Sequence, residues 1–392
     1  MTDRSLPDRF LGFSRRAGPP GVRNNVLILS LSGLELAAAQ TVHRMLPRSV
    51  LIGTTYGRGQ IGEDRRFQRN MMKALATHPN VGACIVLGPD DGMVENVGAA
   101  LDRAGRPWAG HSLQSAHEDR FALIDQAARD AARLLREVSR QHRTPQPLGA
   151  LAIAIECGHS DATSGIAANP LVGAVAKRIV SFGGRALFSE TLEWTGTEDI
   201  LADRAADPSV GQAIREALRR RHDLALAAGH DPQANNPGPQ NHAGGLTTLE
   251  EKSLGAIAKG GDQPIAGLLE AGERLPDRPG LYLMDTPCLS PESITSMIAS
   301  GAQLVLFTTG QGNPYGSALA PTIKISAHMD TVAALHHQID FDASAILRGG
   351  AVPLDLADPL LRTMIDVASG TWTWSEAAGE ATESISRLGP SI

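Results

Sequence analysis

Aromatic residues make up only 4% of this 392-residue sequence, and there are three cysteines. Cys84, Cys157 and Cys288 lie far apart and form no CxxC pair. That excludes a disulfide framework and a zinc ribbon, and a reducing cytoplasm is the expected compartment. No apolar run is long enough to span a membrane: the longest, NNVLILSLSGLELAAA, is broken by Ser, Gly and Glu. The N-terminus MTDRSLPDRF has no apolar core of the kind a signal peptide needs. Excess positive charge is also missing. A net charge of −6 argues against a general nucleic-acid surface. The one dense basic run, Arg219 to Arg221, reads as the solvated face of an amphipathic helix.

Glycine (41) and proline (24) are plentiful, and 42% of residues are hydrophobic, so a core forms without covalent staples. The pattern alternates. Short Val/Leu/Ile runs at 25–31, 49–54 and 82–87 read as strands, with helices at 34–45, 65–76 and 94–104 between and after them. A long charged helix is expected over 116–140, then a Pro-rich linker, HRTPQP, at 142–147. Strands at 148–155, 185–189, 281–284 and 303–307 alternate with helices at 170–182 and 291–300. This predicts an α/β protein with two or more mostly parallel, helix-covered sheets of Rossmann-like type. Three domains are expected: an N-terminal α/β domain over 1–141, a central α/β domain over 148–278 with a long polar loop at 229–245, and a C-terminal α/β segment over 279–392 packing on the central one. Ligands of such sheets sit beyond the carboxyl ends of the strands.

Five polar stretches fall near such ends: GVRNN, ECGHSDATSG with Asn169-Pro170, SETLEWTGTE, NHAGGLTTLEEKSLG with Lys259, and FTTGQGNPYGSALAPTIKISAHMD. Their carboxylates, lone cations and small polar residues suit a polyhydroxy carboxylate, which needs cations for its carboxylate, hydroxyl partners, and one acid and one base. Plainer explanations stand beside this. TTLEEKSLG has the pattern of a capped helix start. FTTGQG lacks the spacing of a phosphate or dinucleotide loop and fits a strand-to-helix turn. A lone Cys157 fits a small buried apolar residue. Adjacent His159, Ser160 and Asp161 do not suit a catalytic triad, whose members rarely neighbour one another in sequence.

Taken together, the stretches resemble one family. ECGHSDATSGIAANPLVG is similar to its CGGSD-x-x-SG-x-x-NP motif, and NNPGPQNHAGGLTTLEEKSLGAIAKGG to its GGLTT-x-EEKSLG-x-x-KGG block. GLYLMDTP, FTTGQGNPYGSALAPTIKIS and IDFDASAIL resemble its C-terminal motifs, and GPPGVRNNVLIL its opening G-x-RN. This is the altronate/galactarate dehydratase family, which includes the large subunit of sulfolactate sulfo-lyase. The resemblance covers roughly residues 10–350, in order. It implies a carbon–oxygen lyase that eliminates water or a related leaving group from a small hydroxy acid through α-proton abstraction, giving a 2-keto acid. The alternatives are a metal-independent epimerase or isomerase, and a non-catalytic sugar-acid-binding homologue. At matching positions, side-chain chemistry gives catalytic candidates Asp161, Glu190, Glu251, Lys252 and His159. Substrate-binding candidates are Arg23, Asn24, Arg58, Asn169, Asn241, Thr308, Thr309 and Lys324.

The family usually uses iron, so the resemblance implies a divalent metal, with Cys157 and His328 as candidate ligands. Yet three strand ends where the family carries cysteines here read Ser32-Gly33-Leu34, Thr54 to Gly59, and Leu87-Gly88-Pro89-Asp90. One remaining thiol cannot hold an iron centre. Two readings follow: a hard metal held by carboxylates and His, or loss of the metal with Arg58 supplying a fixed positive charge in its place. The resemblance further implies a separate small subunit and a homo-oligomer, expected as a dimer, with no nucleic-acid or membrane partner.

Overall fold

The computed structural model describes residues 7–57, 59–232, 234, 236–387 and 389. The chain forms two compact units. One comprises Leu11–Gln146 with Ala318–Ala320 and the segment from Thr382 onward; the other comprises Pro147–Ser317, Pro321–Ala381 and the N-terminal stretch up to Phe10.

The first unit alternates β1 (Asn25–Ser30), α1 (Leu36–Met45), β2 (Val50–Gly53), α2 (Gly62–Ala76), β3 (Val81–Gly88), α3 (Asp91–Arg103), β4 (Trp108–Ser112) and α4 (Arg120–Val138). Its strands pair in parallel in the order β2-β1-β3-β4. Val26 to Leu29 of β1 and all of β3 are buried. That is why those segments read as unbroken apolar runs, since a covered parallel sheet buries both faces. Full burial of each such side chain is worth about 1.5–3 kcal/mol. Asp90 and Asp119 start α3 and α4 by accepting backbone N–H bonds. Strand β4 was not expected. It is a half-exposed edge with the sequence WAGHS, so it carries no apolar run.

The second unit contains β5 (Ala152–Cys157), α5 (Asn169–Ser181), β6 (Arg185–Phe188), α6 (Pro208–Ala227), α7 (Leu249–Ile257), β7 (Ile265–Glu270), β8 (Gly280–Asp285), α8 (Ser290–Ala299), β9 (Leu304–Thr308), β10 (Thr322–Ser326), β11 (Phe341–Asp342) and α9 (Pro353–Ala368). Its seven strands form one parallel sheet in the order β11-β10-β9-β5-β6-β8-β7. The spans 148–278 and 279–392 therefore feed a single sheet. The chain winds outward from β5 to one side and then returns to β9 on the other. This makes β5 and β9 the topological switch point, where Cys157 stands in register with Thr308.

Two local readings change. Thr144–Pro147, expected as linker, is a short strand. The basic run on α6 is not wholly solvated, because Arg221 Nε donates to Asp285 Oδ1 at 2.7 Å and Arg220 reaches Asp285 Oδ2 at 3.2 Å. No helix among the described residues is long and apolar enough to cross a membrane.

Candidate active site

At the carboxyl end of β5, Cys157 lies beside a buried set of charged groups. Lys259 Nζ is 3.2 Å from both Cys157 Sγ and Glu193 Oε2, and the thiol is 3.4 Å from the same carboxylate oxygen. Lys252 approaches Glu193 Oε1 from another side at 3.6 Å and donates to Asn236 Oδ1 at 2.7 Å. The Phe188 ring lies 5.6 Å from Lys259 Nζ, at the end of β6. Lys252 and Lys259 are seven residues apart, two turns along the run that continues from α7, so both reach the same side. Glu193 sits in a single 3-10 turn, Thr191–Trp194, that follows β6.

Glu190 precedes that turn with φ of 68°, a left-handed conformation that is uncommon for a side chain of this size. Its N–H donates to Thr286 Oγ1 at 3.0 Å, and Thr191 Oγ1 donates to Asp285 Oδ1 at 2.7 Å. Both bonds reach the end of β8 and hold the turn in place. The Glu190 carboxyl neighbours those of Glu156 and Glu193. Glu156 is fully buried and accepts from Ser293 Oγ at 2.6 Å.

These neighbours divide the protons unequally. Burial raises Glu190 well above the usual carboxyl range, and the Glu156 and Glu193 charges push it further. Burial also acts to raise Glu193, but the Lys259 and Lys252 ammonium groups override it and hold Glu193 at about 2. Burial acts to neutralise Lys259; the acidic groups around it win, and it stays charged. Lys252 is raised by the same balance. Burial, with Glu193, lifts the Cys157 thiol to about 12. The site thus sets two ammonium groups beside three carboxyls, with Glu193 held low and Glu190 and Glu156 pushed up by burial. Carboxyls pushed apart in this way suit a base and an acid.

Of the residues picked from sequence, Cys157, Glu190 and Lys252 meet here. Asn169 and Thr308 adjoin them, with Thr308 Oγ1 donating to Asn169 Oδ1 at 2.5 Å beside Cys157's register partner. Asp161 is buried and accepts from Ser164 N at 2.9 Å and Thr163 Oγ1 at 2.7 Å, capping the π-helical turn before α5. His159 is exposed, has φ of 52°, and bonds through Nδ1 to Gly312 O at 2.7 Å. Asn241 Nδ2 ties the long loop to Ser160 O at 2.8 Å, and Thr309 Oγ1 accepts from Gly312 N. Glu251 is exposed. Its carboxylate accepts from Thr247 N and Oγ1, while Thr248 caps α7. Lys324 is buried against Glu380 at 2.8 Å. In the other unit, Arg23 donates to Val22 O, and Asn24 bonds Arg15 and Val138 O. Arg58 lies outside the described residues.

The donor set does not fit the iron expectation. Cys157 Sγ is already engaged by Lys259 and Glu193. His328 Nδ1 accepts from Thr331 N at the start of its own short helix, beyond β10, two strands from β5. Among the described residues, no group of three or more His, Cys, Asp or Glu is placed to hold a metal ion.

Glu156, Glu193 and Lys259 lay in the chosen stretches, but with no role assigned to them from sequence. Lys259 sat in a chosen stretch, and its seven-residue offset from Lys252 was the available signal. Glu190 and Glu193, three apart, would share a face of a 3-10 turn.

Two family models match in chain order. The D-galactarate dehydratase/altronate hydrolase second domain covers residues 12–139, and the D-galactarate/altronate dehydratase C-terminal region covers residues 148–391. The chain belongs to the D-galactarate/altronate dehydratase family. Among family members, it is 33% identical to the (2R)-sulfolactate sulfo-lyase subunit beta of Chromohalobacter salexigens, over 97% of each chain. It is 34% identical to the altronate dehydratase of Escherichia coli, over 94% of this chain and 76% of that one. It is 33% identical to the galactarate dehydratase (L-threo-forming) of Escherichia coli, over 64% of this chain and 47% of that one.

Proposed function

We propose that the chain is a lyase that eliminates water, or a related leaving group, from a small hydroxy or polyhydroxy carboxylic acid, giving a 2-keto acid. The observation that carries this reading is the buried pairing of Glu193 with two ammonium groups beside Glu190, with the two carboxyls shifted in opposite directions. Lys252, the less buried ammonium, anchors the substrate carboxylate. Glu193, the ionised carboxyl, takes the α-proton; pairing of Lys252 with the substrate weakens its hold on Glu193 and raises its basicity. The C–H electron pair becomes the C=C bond as the β C–O bond breaks. Glu190, the carboxyl that burial pushes up, gives its proton to the departing hydroxyl, and the enol product tautomerises to the 2-keto acid. Lys259 stabilises the charge that builds on the substrate carboxylate. The names of the three relatives support elimination from acids as the reaction class.

The test is a panel of aldonic, aldaric and sulfonated hydroxy acids scored for 2-keto acid release, run in parallel in deuterated water. Release that is lost in Glu190→Gln and weakened at low substrate in Lys252→Ala supports the reading. Solvent deuterium entering the α position without release would favour an epimerase instead. The sulfo-lyase relative is named as a subunit, so we extend the proposal to a second, separately encoded chain as partner of a homodimer. Co-expression and mass measurement of the complex test that extension.

A further inference from the structure

The first unit has a cavity of its own. About 590 Å³ in volume, it opens at the carboxyl ends of β1 and β3. These strands are that sheet's switch point, since the chain leaves β1 for β2 on one side and resumes at β3 on the other. Parallel sheets place ligands at such crevices, and the volume falls within the range of small-molecule sites. Leu31, Met72 and Val97 make the apolar part of its wall.

Its polar groups are unequally satisfied. Gln68 is buried, and its Nε2 donates to Leu31 O at 3.4 Å. Gln68 Oε1 is also buried and has no hydrogen-bond partner among the described residues. A buried acceptor left unpaired is unfavourable, and a ligand hydroxyl would satisfy it. Arg65 and Arg69 lie one turn apart on α2 and line the same cavity. Arg69 makes only a long bond, 3.4 Å, to Asn96. The lining acid, Asp90, is engaged in capping α3 through Met93 N at 2.9 Å. The rim therefore offers guanidinium charge, and the interior offers an unused acceptor.

The adjoining backbone is firmly held. Buried Glu35 accepts from Ser32 N at 2.5 Å and from Ser32 Oγ at 2.7 Å, fixing the turn after β1. Gly57 packs against that turn so closely that a Cβ would lie 2.3 Å from Ser32 Cβ.

We infer that this cavity is a second binding site, for a small polyhydroxy carboxylate. The carboxylate pairs with Arg65 and Arg69, and a hydroxyl donates to Gln68 Oε1. The inference rests on no catalytic assignment in the other unit.

The experiment uses the full chain, with D-gluconate as the probe and D-glucitol as its uncharged analogue. Calorimetric titration gives affinity, and amide hydrogen exchange gives location. Gluconate is expected to bind and to protect the segment 60–72, with glucitol weaker by about tenfold or more, the loss of one charge-assisted pair. Arg65→Ala and Gln68→Met should each weaken that binding with an unchanged melting temperature. Protection of 60–72 should persist in Lys252→Ala, which separates this site from the proposed active site. Four results would each overturn the inference: no gluconate binding, equal binding of glucitol, affinity unchanged in Arg65→Ala, or protection of 60–72 that vanishes in Lys252→Ala.

Discussion

Lys259 and Cys157 meet at 3.2 Å in the interior of the second unit, and Glu193 lies within the same distance of that ammonium group. The lysine is 1% exposed, so its charge is balanced by protein groups and not by water. Removing one partner of such a buried pair leaves the other charge uncompensated, which costs about 3–5 kcal/mol. Lys259→Met should lower stability by that amount, read from the urea midpoint. The double variant Lys259→Met/Glu193→Gln should recover much of it. A double variant no better than the single would show that packing against Phe188, and not charge, is what Lys259 contributes.

Acid sensitivity follows from Glu193. Its folded value of about 2 lies below its ordinary value of 4.5. It therefore contributes stability that is full above about pH 4.5 and lost as the pH falls toward 2. Glu190 has the opposite sign: held well above 4.5, it takes stability away as the pH rises past that value. Glu193→Gln should flatten the acid limb of a stability–pH curve, and Glu190→Gln should raise stability at neutral pH. Denaturant melts at several pH values check both.

Lys252 is less deeply tied into the fold than Lys259. Its side chain is 15% exposed, and Asn236 shares it with Glu193. Loss of one charge-assisted contact with the substrate is worth about 1.5–3 kcal/mol, or about 10- to 100-fold in kcat/KM. Lys252→Ala should show that loss mainly in KM, with a stability cost smaller than that of Lys259→Met because Lys259 still pairs with Glu193. A fall confined to kcat would move Lys252 from anchoring to the chemical step.

Glu251 and Gly310 give contrasting controls. Glu251 closes a capping interaction at α7, so Glu251→Ala should cost about 1 kcal/mol while kcat stays unchanged. A loss of turnover would return Glu251 to the chemistry. Gly310 backs onto Asp161, where a Cβ would lie 2.1 Å from Asp161 Cγ. Gly310→Ala should cost about 1–3 kcal/mol as the loop after β5 shifts, and turnover should fall with it.

The sequence carried the interior strands because they bury both faces: NVLILS and VGACIVLG admit no other reading. It hid the edges. Strand β4 is half exposed with little apolar content, and β10, one strand in from the edge of the other sheet, places Lys324 mid-strand, buried against Glu380. A buried lysine has no pattern of its own when its partner lies 56 residues away. The site was legible in the same uneven way. Motif chemistry reached Cys157, Glu190 and Lys252, which flank the cluster. Glu193, at its centre, gains its meaning only from two lysines more than fifty residues downstream. Glu251 sits beside Lys252 in sequence yet turns outward, because helix geometry separates neighbours by about 100°.

Glu190 holds a left-handed backbone with a long side chain, and that combination sets two selective pressures against each other. Glycine or asparagine would adopt the same φ at less strain and would remove a buried acid. A thermostability screen run without an activity filter should therefore enrich Glu190→Gly and Glu190→Asn, and the survivors should be inert. Laboratory evolution of this protein toward heat resistance has to proceed with that position locked.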